Sequence, residues 1–237
     1  MTCFVLVHSP LVGPETWRPV GEALRAHGHH AVVPPLTHVL DGPPPYRPAL
    51  ANAVAETVAD ADGPVALVAH SGAGPLLPAV CDAVETPVAA AVFVDAGLPH
   101  PGRSWFDTAP AELVDQLRPL TREGMLPPWH EWFAPEEIAA LLPDAVARDA
   151  VVGELRPIPV AFLDERAPEP AGWPPPRCAY LLLSDAYTDA SRSAANAGWA
   201  VARHPSDHLA VHTDPEGVTK RLLTLVVGSS GRGEQGR

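Results

Sequence analysis

Lysine is nearly absent from this chain. Of its 16 cationic side chains only Lys220 is a lysine, and they face 28 acidic residues. The net charge of −12 repels phosphate backbones and anionic lipid, which argues against nucleic acid or a membrane surface as partner. Cysteine is scarce as well. Cys3, Cys81 and Cys178 cannot all pair and none has CxxC spacing, so reduced, buried thiols are expected. No apolar run reaches the roughly 18 residues of a membrane span. Met1 leads within two residues into the strand-like run Cys3–Val7, so no secretory leader is expected and the expected location is cytoplasmic. Internal repeats are missing. So is a nucleotide fingerprint: Gly72 and Gly74 form only a G-x-G.

What the chain does have is apolar residues, 46% of 237, enough for one domain with a two-sided core. The 30 prolines are more than twice the usual share of about 5%. Short β-rich runs recur at Cys3–Val7, Ala31–Val33, Val65–Ala69, Val88–Val94, Ala179–Leu183 and Trp199–Ala202. Most are continuously apolar, as strands buried on both faces are. Helical patterns at 17–27, 49–58, 76–84, 189–197 and 215–227 separate them. The alternation predicts an α/β fold, a mostly parallel, doubly wound sheet of about six strands.

One region breaks the rhythm. Some 80 residues after the fourth strand lack strand character, and prolines punctuate short helical stretches there. Half of the aromatics fall within 98–173: Trp105, Phe106, Trp129, Trp132, Phe133, Phe162 and Trp173. We read this as a helical cap inserted after the fourth strand, over a pocket. Residues 1–97 and 174–227 then form the core. Residues 228–237, rich in Gly and Ser without an apolar anchor, are expected to be a disordered tail.

The strongest chemical signal is Val65-Ala-Leu-Val-Ala-His-Ser-Gly-Ala-Gly74. A buried strand runs into Ser71 among small residues, and a helix follows. Ala69-His70-Ser71-Gly72-Ala73 stands where a nucleophile elbow has G-x-S-x-G, because larger side chains on either side would collide with strand or helix. Gly72 supplies a backbone N–H near a developing oxyanion. Among eleven histidines, His208 in Ser206-Asp-His-Leu follows the last strand and precedes the final helix, where a loop returns over the carboxyl edge of the sheet. His204 and His212 flank it at four-residue spacings, but Pro205 interrupts a single helix through them, so no metal is expected. His70 is read as a support below the elbow and His8 as a pocket-shaping residue.

On these residues the chain resembles an α/β-hydrolase of the serine branch across 3–227. The opening Phe4-Val-Leu-Val-His-Ser-Pro-Leu-Val-Gly13 with Trp17 is similar to the first strand and oxyanion loop of plant methylesterases and hydroxynitrile lyases. The resemblance implies the α/β-hydrolase fold, no cofactor, and the chain order Ser, acid, His. In most of the family the acid follows the penultimate strand, here Asp185 or Asp189. In a minority it ends the strand after the elbow, here Asp95. We favour Asp95, because a carboxylate leaving an apolar strand needs a partner such as an imidazole N–H, and keep Asp185 as the alternative.

The oxyanion loop departs from the family. It reads His8-Ser9-Pro10, and proline has no N–H. Leu11 N–H or the Ser9 hydroxyl must replace that donor, or the chemistry does without it. Hydroxynitrile lyases carry a lysine directly after the catalytic histidine; here Leu209 stands there, which disfavours cyanohydrin cleavage. Serine in place of aspartate at the elbow disfavours epoxide hydrolysis and dehalogenation.

The expected function is a serine hydrolase acting through an acyl-enzyme on an ester, thioester or amide of a small to medium, largely apolar metabolite. Ser71, His208 and Asp95 are the expected triad. Gly72, Leu11, Ser9, His8, Trp105, Trp129 and Trp132 are expected around the substrate. Two alternatives stay open: a non-hydrolytic lyase, cyclase or acyltransferase of specialised metabolism, and a non-catalytic ligand-binding homologue. The partner expected is a small-molecule substrate, and a homodimer is left open.

Overall fold

The computed structural model describes residues 2–228. The continuously apolar runs become β1 (Cys3–Val7), β2 (His30–Val32), β3 (Val65–Ser71) and β4 (Val88–Ala96). Between them lie α1 (Arg18–Ala26), α2 (Tyr46–Thr57) and α3 (Leu77–Ala83). Residues 98–173 hold α4 (Ala111–Leu117), β5 (Met125–Leu126), α5 (Pro135–Leu141), α6 (Ala145–Gly153), β6 (Ile158–Pro159) and α7 (Val160–Asp164). The chain ends with β7 (Cys178–Leu182), α8 (Thr188–Asn196), β8 (Ala200–Arg203), α9 (Ala210–Thr213) and α10 (Pro215–Val226).

Six strands form one sheet in the order β2-β1-β3-β4-β7-β8, every neighbouring pair parallel. Side chains alternate between its faces. Val5, Leu67, Phe93 and Tyr180 pack on one side with Leu50 and Val54 of α2, Val80 of α3 and Ala194 of α8. Phe4, Leu6, Val68, Val92 and Leu181 pack on the other with Val20 and Leu24 of α1 and Val218 and Leu222 of α10. Each fully buried aliphatic or phenyl side chain contributes about 1.5–3 kcal/mol, which is why the runs have no polar alternation. The strand order reverses direction between β1 and β3. That switch point opens a crevice beyond the carboxyl ends of the two strands, the usual binding position in such sheets.

Many prolines sit where a helix tolerates them. Pro19, Pro78, Pro135 and Pro215 occupy the first turns of α1, α3, α5 and α10, where their missing N–H would have had no intrahelical partner. Carboxylates tie residues 98–173 to the sheet domain through backbone amides. Glu154 accepts from Glu15 N at 2.7 Å. Glu165 accepts from Tyr46 N and Arg47 N at 2.6 and 2.8 Å. Asp82 accepts from Ala171 N and Gly172 N at 2.8 and 2.9 Å.

Two expectations need correction. Residues 98–173 are not free of strand: β5 and β6 pair antiparallel, two residues each, too short and too proline-flanked to leave a periodic trace. The short α7 and α9 are likewise invisible to a pattern that needs several turns. The three cysteines are free but half-buried rather than core. Burial still pushes their thiols up, Cys81 to about 12 and Cys178 to about 11. Beyond Gly228, the segment expected to be a disordered tail lies outside the described residues. Among the described residues no helix is long and apolar enough to cross a membrane.

Candidate active site

Ser71 ends β3 with φ of 57°. Asp95, near the end of β4, has φ of 43°. Left-handed backbone costs a non-glycine residue about 1–3 kcal/mol and persists only where neighbours hold it. Here the restraints are visible. Gly97 N–H donates to the Ser71 carbonyl at 3.2 Å, and the Tyr180 hydroxyl both donates to Ala96 O and accepts from Ala96 N, at 2.8 and 3.0 Å. Ala69 and Ala73 around Ser71 are fully buried. A Cβ at Gly74 would strike the Gly97 carbonyl, so backbone packing explains that glycine. The last ladder bond falls on Ser71, and the next amide, Gly72 N–H, lies beyond it.

The loop after β8 is pinned back over the sheet. His204 N and Ser206 N donate to Leu182 O and Leu183 O at 2.9 and 3.0 Å. This brings His208 between two partners. Its Nε2 is 3.0 Å from Ser71 Oγ and its Nδ1 is 2.8 Å from Asp95 Oδ2. An ionised carboxylate only accepts, so Nδ1 carries the proton and Nε2 offers its lone pair to the serine hydroxyl.

Asp95 is fully buried. Its Oδ1 accepts from Leu183 N and Ser184 N at 2.9 and 3.0 Å, and its Oδ2 accepts from Ser184 Oγ at 2.6 Å as well as from His208. Burial alone would raise its pKa. The bonds from His208 and Ser184 outweigh that and hold the carboxyl below its ordinary value. Asp185, the alternative acid, does not reach His208: its side chain is 89% exposed and pairs with Arg203 at 2.8 Å. It belongs to an outward turn at the end of β7, whereas Asp95 comes from the interior of the sheet.

Two residues not singled out by sequence complete the setting. The Tyr187 ring stacks on His208, centroids 5.1 Å apart, and its hydroxyl lies 3.4 Å from Ser71 Oγ. Ser184 holds Asp95 as described. Both stand in the stretch after β7 where an acid was sought, so its position was a signal while its residue roles were not. His70 sits below the elbow as expected. Its ring is 4.5 Å from that of His208, and its Nε2–H donates to the His208 carbonyl at 2.9 Å. Burial, then the His208 charge, push its pKa down.

On the other side of Ser71, Ser9 is buried and its carbonyl accepts from Val12 N at 3.0 Å, a turn with Pro10 at the position proline favours. Leu11 N–H donates to Ser9 Oγ at 3.2 Å. A Cβ on Gly72 would stand 2.8 Å from that Oγ, so the hydroxyl lies directly against the elbow. Leu11 N–H is thus engaged, and the Ser9 hydroxyl, accepting from it, keeps its own proton to donate. Ser9, Pro10, Leu11, Arg47, Gly72, Pro75, Trp105, Phe162 and Leu163 line a narrow cavity of about 10 Å³, room for roughly one water.

The remaining expected site residues divide. Trp105 lines this cavity. Trp129 packs beside Leu209, the neighbour of His208, with Leu142 and Val151. Trp132 instead anchors its own segment: it is buried and its indole N–H donates to Pro127 O at 2.8 Å. His8 does not line the cavity either. It is fully buried, with Nδ1–H donating to Ser9 O at 2.8 Å and Nε2 accepting from Leu36 N at 3.1 Å. Both nitrogens are committed to backbone, so it shapes the loop from behind.

That commitment has a measurable consequence. Burial lowers the His8 pKa from 6.5 to about 4. Between those values the unfolded chain binds the extra proton and the folded one does not, so stability rises with pH. The wild type is expected to lose about 3 kcal/mol on this account between pH 7 and 4. Urea unfolding at both pH values checks it: His8→Gln must show a correspondingly smaller loss, and an equal loss would contradict it.

A comparison with curated protein sequences finds no significant match. A hydrolase from Paenibacillus, described as extracellular and as sharing structural and functional homology with a tobacco salicylic acid binding protein, is 19% identical, covers 95% of this chain and 99% of its own, and superposes with a TM-score of 0.73. A pyrethroid hydrolase from Sphingobium faniae is 18% identical over 97% and 98% of the two chains, with a TM-score of 0.74. An Arabidopsis methylesterase is 18% identical over 96% and 99%, with a TM-score of 0.66. At these identities the likeness is one of fold. The model of the alpha/beta hydrolase family matches residues 4–221, and the chain belongs to that family.

Proposed function

We infer that the protein is a serine esterase acting through an acyl-enzyme. The observation that carries this reading is the continuous line from buried Asp95 through His208 to Ser71, with bonds of 2.8 and 3.0 Å. Ser71 Oγ attacks the ester carbonyl carbon while His208 Nε2 takes its proton. Asp95 stabilises the imidazolium and fixes its tautomer. The carbonyl oxygen, now an oxyanion, accepts from Gly72 N–H and from the Ser9 hydroxyl, which Leu11 N–H orients and polarises. Collapse breaks the bond to the alcohol oxygen, which leaves with the proton from His208. Water, deprotonated by His208, then releases the acid and restores Ser71.

In this reading the Ser9 hydroxyl stands in for the donor that Pro10 lacks. A missing donor would cost about 10²–10³ in turnover, and a serine against the elbow supplies one. The esterases among the relatives of this fold favour an ester over an amide. Residues 98–173 act as the cap: Trp105, Phe162 and Leu163 face Ser9 and Gly72 across the cavity. A cavity the size of one water cannot hold an acyl group, so these side chains must withdraw when substrate enters.

Stopped-flow mixing with p-nitrophenyl esters tests the reading. A burst of about one p-nitrophenolate per protein, with an acyl adduct on Ser71 after acid quench, is expected. Hydrolysis without burst or adduct would contradict an acyl-enzyme.

A further inference from the structure

Arg47 is the most deeply buried cation near the elbow, only 2% exposed. It stands in the first turn of α2 and lines the same cavity as Ser9, Gly72, Trp105 and Phe162. A buried guanidinium normally has a carboxylate partner, because an unpaired charge is strongly disfavoured away from water. Arg47 has none in ion-pair contact among the described residues: their arginine pairs involve Arg18, Arg156, Arg192 and Arg203. The carboxylate whose charge reaches it, Glu165, has its oxygens bonded to the amides of Tyr46 and Arg47.

Only the Nε–H of Arg47 donates, to the Glu165 carbonyl at 3.2 Å. Its terminal nitrogens, four N–H donors, have no acceptor among the described residues. The guanidinium carbon lies 5.9 Å from the Phe162 ring centroid, so the aromatic ring and the Glu165 backbone hold the planar fork. Burial, then the Arg47 charge, push the His100 pKa down. In a chain of net charge −12, a buried cation in no ion pair among the described residues lines the cavity beside the elbow.

We propose that Arg47 binds a carboxylate on the substrate, so that the preferred ester bears a free acid group on its acyl or its alcohol part. The planar fork matches a carboxylate through two parallel N–H bonds. The proposal deepens the esterase reading and rests on it.

Two matched pairs of esters test it. Mono-p-nitrophenyl glutarate against p-nitrophenyl hexanoate places the charge on the acyl side. The butanoates of p-hydroxybenzoate and p-hydroxybenzamide place it on the alcohol side. The wild type is expected to favour the charged member of at least one pair by about tenfold or more in kcat/KM. Arg47→Gln should cut that ratio by about 10- to 100-fold, and Arg47→Lys should restore part of it. No preference in either pair, or an equal loss on both members in Arg47→Gln, overturns the proposal and leaves Arg47 a structural residue.

If Arg47→Gln fails to fold, the wild-type ratios and competition decide. Free glutarate should inhibit hydrolysis of the neutral ester where glutaramide does not, and the absence of both preference and competition overturns the proposal. Failure of the esterase reading looks different: no ester of either pair is hydrolysed. In that case a thermal shift by glutarate that glutaramide lacks still supports the carboxylate site, and its absence overturns it.

Discussion

Ser71→Ala is expected to lower kcat on ester substrates by at least about 10⁴-fold and to leave the thermal midpoint within a few degrees of wild type. The large loss follows from the role. Without Oγ no acyl-enzyme forms, and only substrate binding and the oxyanion donors remain. The small structural effect follows from the site. Alanine is no larger than serine, the turn is held by Gly97, Ala96 and Tyr180, and the hydrogen-bond partners of Ser71 Oγ among the described residues are His208 and Tyr187. Steady-state kinetics beside a melting curve check both halves. His208→Ala should cost about as much, and the double variant little more, because the residues act as one unit.

The second large effect separates two carboxylates. Asp95→Asn is expected to cost about 10⁴-fold in kcat. The amide can keep the shape but reverses the hydrogen-bond logic: when its NH₂ donates to His208 Nδ1, the imidazole proton moves to Nε2, which then cannot accept from Ser71. Asp185→Asn should stay within about threefold of wild type. Asp185 is exposed and paired with Arg203, a surface bond of the kind worth about 0–1 kcal/mol. Parallel kinetics on the two variants check the assignment. A loss confined to Asp185→Asn would reverse it.

These assignments vary in how far sequence alone reaches. The sheet is legible because strands buried on both faces are apolar, and β1, β3 as far as Ala69 and β4 as far as Val94 read as such. The elbow is legible because its steric demands fall on consecutive residues. His208 is legible from where loops return in such a fold, not from its neighbours. Asp95 against Asp185 was open in sequence, since both follow strands at the same edge. What distinguishes them is burial and the amides of Leu183 and Ser184, 88 and 89 residues away.

Other features depend on contacts that no local pattern encodes. Arg47 opens a helix after a run of prolines, and no local pattern marks it. Its burial comes from Glu165 and Phe162, more than a hundred residues later. By type alone His8 and Trp132 suit a pocket. Their ring nitrogens were already committed, to Ser9 and Leu36 in one case and to Pro127 in the other. Pro10, read as a lost donor, is the corner of the turn that presents Ser9. The scarcity of lysine leaves arginine as the cation at the cavity, and there its planar fork is the relevant chemistry.

The central claim is that Ser71 is a nucleophile activated by His208. Treating the folded protein with a fluorophosphonate, digesting it and mapping the adduct by mass spectrometry tests that directly. A single adduct on Ser71, lost in His208→Ala, is the result this account predicts. A protein that hydrolyses esters with Ser71 unlabelled would contradict it.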